Sequence, residues 1–166
     1  MSSNSEVDIF RDTPVRLLGY ANEVGEAFRP LIKKIWVHAS YGVASSYVAA
    51  DTFHKAALAY KEPFKNDNER RIQVMKVSVD TLLWQALASV IVPGFTINRV
   101  CAGTLFALRK STKLPKNTRK WTATIVGLLC IPFIVSPIDN GIHLLMDKTV
   151  RKWLNIDNKQ KHSGTE

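Results

Sequence analysis

The sequence has little of what builds a catalytic or metal site. It holds two cysteines, Cys101 and Cys130, both in apolar surroundings and not spaced as C-x-x-C. That argues against a disulfide framework or a zinc site, and reduced, buried thiols are the expectation. No H-E-x-x-H or E-x-x-H pairs a carboxylate with a histidine on a helix, no G-x-S-x-G presents a nucleophile, and there is no P-loop. His38, His54, His143 and His162 share no spacing. No enzyme activity and no cofactor is therefore expected. Acidic residues are also scarce: 14 Asp+Glu stand against 23 Lys+Arg, a formal net charge of +9. Such a balance favours anionic partners. The basic segment 99–120 has only Phe106 on which a base could stack, so lipid headgroups fit it better than nucleic acid.

What is present is long uncharged stretches. The mean hydropathy is near neutral, yet the charges are unevenly spread. Ile35 to Ala50, Thr81 to Asn98 and Trp121 to Ile138 carry no Asp, Glu, Lys or Arg. A membrane helix needs about 20 mostly apolar residues, which these runs reach by borrowing neighbours, giving spans near 31–50, 77–98 and 121–138. Trp36, Trp84 and Trp121 lie near the starts of the runs, where an indole suits the water–lipid boundary. Gly42, Ser46 and Ala50 form a small-residue strip that would let two helices approach closely, in this chain or in a second copy.

Residues 1–12 read as a polar tail. Glu6, Asp8 and Asp12 do not suit an Arg-rich, acid-poor presequence, so targeting is expected to rest on internal segments. Thr13-Pro14 is a helix start. Leu17, Ala21, Val24 and Phe28 then recur at helical spacing to Pro30, which predicts an amphipathic helix over 14–29. Residues 51–76 read as a polar connection. Pro93 is expected to break the second run by freeing the carbonyl of Ser89. The basic 99–120 segment contains no acid and suggests a side facing the matrix or cytosol. Pro132 and Pro137 interrupt the third run, and Asp139-Asn140-Gly141 reads as a turn. A second amphipathic helix is predicted over 141–154, with Ile142, Leu145, Thr149 and Trp153 on one face. Residues 156–166 read as a disordered tail. The expected fold is all-α: a single helical membrane domain over 13–155, multi-pass with about three spans and an amphipathic helix at each end.

Several residues are candidates for a role. Glu23 and Glu26 are helix-surface neighbours, but no partner set for a di-metal site exists. Arg29 can pair with Glu26, so the acids are expected on a solvated or partner-facing polar edge. With Gly19, Tyr20, Gly25 and Arg29 they define a partner-facing helix. The two glycines weaken a helix, which close packing of another helix would offset. Asp80 and Asp139 sit at the edges of apolar runs, where an ionisable group is costly and a functional hypothesis by default; Arg99 is their natural partner by charge. Pro93, Pro132 and Pro137 are the candidate kinks. Lys110, Lys113, Lys116 and Arg119 are the candidate contacts to anionic lipid such as cardiolipin.

The phrases "RDTPVRLLGYANEVGEAFRP", "SYGVASSYVAAD", "VDTLLWQALASVIVPGFTINRVCA" and "RKWTATIVGLLCIPFIVSPID" closely resemble the mitochondrial fission process protein 1 family. The resemblance runs over roughly residues 10–155, without the 61–71 loop. It implies a non-enzymatic, multi-pass protein of the mitochondrial inner membrane that supports fission and inner-membrane organisation, with links to apoptosis. It supplies no catalytic residues and no identified protein partner. The alternative is a small transporter or channel subunit for anionic metabolites, which could use broken helices with Asp80 and Asp139.

Overall fold

The computed structural model describes residues 14–154; the two predicted tails and the Thr13 cap lie outside them. Among the described residues all regular structure is helical. A 3-10 segment, Pro14–Tyr20, leads directly into α1, Ala21–Phe28. The chain turns at Arg29–Lys33 and enters α2, Lys34–Lys61. Only residues 62–66 then separate α2 from α3, Asp67–Ser111. Pro115 sets up α4, Lys116–Lys148, and a last turn, α5, covers Val150–Trp153.

Three of these elements run on where the sequence predicts interruptions. The expected connection 51–76 is mostly helix, and its loop shrinks to Glu62–Asn66 around Pro63. Asp51 does not end α2, because its carboxylate is buried and takes hydrogen bonds from Lys55 and Gln85. Pro93 does not break α3. The stretch Ala86–Ile91 is π-helical, and the Val92 N–H bonds to the Leu87 carbonyl, five residues back. That one-residue widening shifts the hydrogen-bond register ahead of the proline, whose missing N–H and ring would otherwise disrupt an α-helix. In α4 the helix continues through Pro132, Pro137 and Asp139-Asn140-Gly141. Each proline removes one helical bond, but packing on both sides holds the helix together: Leu128, Ile131 and Ile134 pack around Ile97 and Cys101, and Ile138 and Ile142 beside Ala88. Turn chemistry at Asn140-Gly141 yields to that continuous apolar face.

The helices pair as two hairpins: α2 with the N-terminal half of α3, and the C-terminal half of α3 with α4. Helix α1 packs against α2 and both arms of the second hairpin. The core is small. One cluster joins Ala27, Ile97 and Cys101, and another joins Ala88, Ile142 and Met146. The last helical turns bury only part of the predicted face, which Met146 and Val150 support beside Ile142. Ile142, Met146 and Val150 pack inward, while Leu145 and Trp153 point outward.

Among the described residues, two helices are long and apolar enough to cross a membrane, Asp67–Ser111 and Lys116–Trp153. Only 22% and 17% of their most apolar windows is buried within the protein, so most of that apolar surface faces outward. Helix α2, which carries the first predicted span, is not one of the two; His38, Ser40, Tyr41, Ser45, Ser46 and Asp51 dilute its apolar run.

Candidate functional site

The most unusual chemistry lies where α1 enters the bundle. Its sequence is amphipathic as predicted, but the helix is turned the other way. Leu17, Leu18 and Val24 are exposed, while Asn22, Glu23, Gly25 and Glu26 are buried. Glu23 is 0% and Glu26 2% exposed, so the solvated or partner-facing edge expected for these acids is instead an internal face. Ion-pair chemistry alone does not tell which way a helix face points; the surroundings decide it.

Small residues make the approach possible. Gly19 lies against the Tyr47 ring, 3.1 Å from where a Cβ would sit, and a Cβ at Gly25 would overlap the Ser40 side chain. On α4, a Cβ at Gly127 would stand 2.6 Å from the Cys101 sulfur and 3.2 Å from the Ala27 Cβ. The predicted close packing at the N-terminal glycines is therefore made within the chain, against α2.

The two carboxylates have opposite environments. Glu26 receives two 2.6 Å hydrogen bonds from the Arg29 guanidinium, one of 3.0 Å from the Tyr41 hydroxyl and one of 2.8 Å from the Asn98 amide. Burial alone would raise its pKa, but the bonds from Arg29, Asn98 and Tyr41 outweigh burial and hold it below the usual carboxylate value. Glu23, one turn earlier, has no hydrogen-bond partner on either oxygen among the described residues. Burial, and secondarily the negative charge of Asp139 on α4, push it up to about 8. Neighbouring Asn22 donates to the carbonyl of Val90 at 3.0 Å, within the π-helical stretch, so α1 is tied to the irregular part of α3.

The other candidates are placed as follows. Tyr20 accepts a 3.1 Å bond from Arg16 at the surface. Asp80 pairs with Arg151, at 2.7 and 2.9 Å, and not with Arg99, which is exposed and bonds Asn98. Arg151 also holds Asp147, one turn back on the same helical segment, at 3.0 Å. The long-range partner arrives because α5 continues α4 along the antiparallel α3–α4 hairpin, which sets its end beside the first half of α3. Pro93 is buried and Pro132 and Pro137 are exposed. Lys110, Lys113 and Lys116 are exposed and Arg119 half-buried, clustered around the loop between α3 and α4. Trp36 and Trp121 are 66% and 54% exposed, but Trp84 turns inward and stacks on His143 with centroids 4.9 Å apart. No group of three or more metal-ligating side chains forms among the described residues.

Residues not singled out from sequence complete the internal polar face: Tyr41 and Asn98 on Glu26, Asn22 on the Val90 carbonyl, and Gln85, bonded to both Asp51 and Ser89. The available signal was their polarity inside or beside uncharged runs. A polar residue there must find a partner within the protein.

Comparison with known proteins gives this arrangement a family. The model of the Mitochondrial 18 KDa protein (MTP18) family matches residues 8–146. The chain belongs to this family. It is 58% identical over 156 residues to Mitochondrial fission process protein 1 of Caenorhabditis briggsae, covering 93% of this chain and 96% of that protein. It is 53% identical over 148 residues to the Homo sapiens protein of the same name, covering 89% of each. A more distant relative, Uncharacterized protein R740 of Acanthamoeba polyphaga mimivirus, is 27% identical over 152 residues, 89% of this chain and 79% of that protein. No solved structure matches the chain. The family match ends at Met146, just before the turn that carries Arg151.

Proposed function

We propose that this chain is a non-enzymatic, multi-pass protein of the mitochondrial inner membrane that supports fission. Relatives at 53% to 58% identity carry that process in their names. The observation that carries the membrane part is the outward display of apolar side chains along the two long helices. Phe95, Phe106, Ile125, Leu129 and Phe133 all face outward, Phe133 with 78% of its surface free. In water such a surface would be an aggregation liability; in lipid it is the natural exterior.

Helix α2 is the third crossing in this reading, its internal acid Asp51 neutralised by Lys55. Lys110, Lys113, Lys116 and Arg119 then gather at one end of the α3–α4 hairpin, where they would meet anionic headgroups such as cardiolipin. Cells lacking the chain should show elongated mitochondrial networks. Re-expression should restore fragmentation, and a membrane-inserted variant with Glu26→Gln should restore it less. A network of unchanged length after complete loss would refute the fission role.

A further inference from the structure

We propose that Glu23 is a proton-operated latch, whose protonated carboxyl permits α1 to seat between α2, α3 and α4 and whose ionisation loosens that seat. This goes beyond the fission reading and does not depend on it. Glu23 is fully buried, and among the described residues both its oxygens are unpartnered. A buried carboxylate without a compensating bond is strongly disfavoured, so the seated helix holds the neutral acid.

The groups around Glu23 are consistent with this from every side. Asp139 on α4 adds negative charge, which disfavours ionisation of Glu23 further. From α2 comes Tyr41, whose hydroxyl already donates to Glu26. On α3, the neutral Asn98 is committed to Glu26 and the Cys101 thiol lies against the Ala27 carbonyl. Just past the end of α1, Arg29 is committed to Glu26, itself a negative neighbour one turn on, through both guanidinium bonds. Arg16, on the segment before α1, bonds Tyr20 at the surface. Among the described residues no cation is directed at Glu23. Once α1 leaves, water can solvate the carboxylate.

The sign follows from linkage. The seated form holds the proton with a value of about 8, against 4.5 for the free group. Seating is therefore strongest below pH 4.5 and weakens by up to about tenfold per pH unit as pH rises toward 8, then levels off.

The chain carries its own reporter. The buried Cys101 sulfur lies 3.9 Å from the Ala27 carbonyl oxygen and 3.5 Å from that of Ala123, so departure of α1 uncovers it. With Cys130→Ser in the full chain, reconstituted in micelles, N-ethylmaleimide labelling of Cys101 measures seating even when the open form is rare. The ratio of labelling rates, Glu23-containing protein over Glu23→Gln, removes the thiol's own pH dependence. That ratio should climb by about an order of magnitude per pH unit through the neutral range and level off near pH 8. Asp139→Asn should bring the plateau to lower pH. Glu23→Met, an apolar side chain of similar length, should match Glu23→Gln. A ratio that stays constant from pH 5.5 to 9 would overturn the latch.

Discussion

At the residue scale, two acids one turn apart show how environment decides chemistry. Glu26 is an ionised anchor: its bonds reach α1, α2 and α3 at once. Removing one partner of such a buried set leaves the others unpaired, which is costlier than the bonds themselves are worth. Glu26→Gln should destabilise the protein by about 2–4 kcal/mol, read as a lower thermal midpoint in detergent at pH 7. Glu23→Gln at the same pH should be neutral or stabilising, since it replaces an unpartnered acid with an uncharged amide. Equal losses for the two variants would contradict the assignment of roles. The pair was visible in sequence, and so was the Glu26–Arg29 bridge. The inward orientation was not, because helical periodicity defines two faces without saying which one meets the protein.

At the scale of elements, the glycines divide by what surrounds them. Gly127 in α4 is a contact point for α1 and α3, while Gly42 in α2 has no atom within 4 Å of a Cβ position. Gly127→Ala should cost about 1–3 kcal/mol through overpacking, more than the roughly 0.5–1 kcal/mol that alanine gains in a helix. Gly42→Ala should show that gain alone. Comparing their thermal midpoints checks both, and a stabilising Gly127→Ala would dismiss the tight crossing. Helix identity was largely legible from the apolar runs. Helix ends were not. Asn140-Gly141 and Pro93 are strong local punctuation, but local preference is worth about 1–3 kcal/mol per position and loses to a long packed face. The π-helical repair ahead of Pro93 leaves no sequence period of its own. Asp80 found Arg151 rather than Arg99 because charge complementarity does not specify which residues the α3–α4 hairpin sets side by side.

At the scale of the whole molecule, α1 turns Asn22, Glu23 and Glu26 inward beside Ala27 and leaves Val24 outside, and the long helices wear phenylalanines on their surface. Under the proposed membrane reading the same organisation explains why a small core suffices: specificity comes from glycine contacts and an internal hydrogen-bonded face, and the exterior is left to lipid. In that reading the charges at the α3–α4 loop would add a headgroup contact. Replacing Lys110, Lys113, Lys116 and Arg119 with glutamine should reduce cardiolipin copurifying with the protein severalfold, and undiminished cardiolipin would remove these residues from that role. The most direct measurement is the surroundings of the outward-facing side chains themselves. With Cys101 and Cys130 replaced by alanine, spin labels attached at Phe95→Cys and Phe133→Cys in cardiolipin-containing liposomes should relax faster with oxygen, which concentrates in lipid, than with a water-soluble nickel chelate. Preference for the nickel chelate at both positions would contradict a lipid-facing exterior.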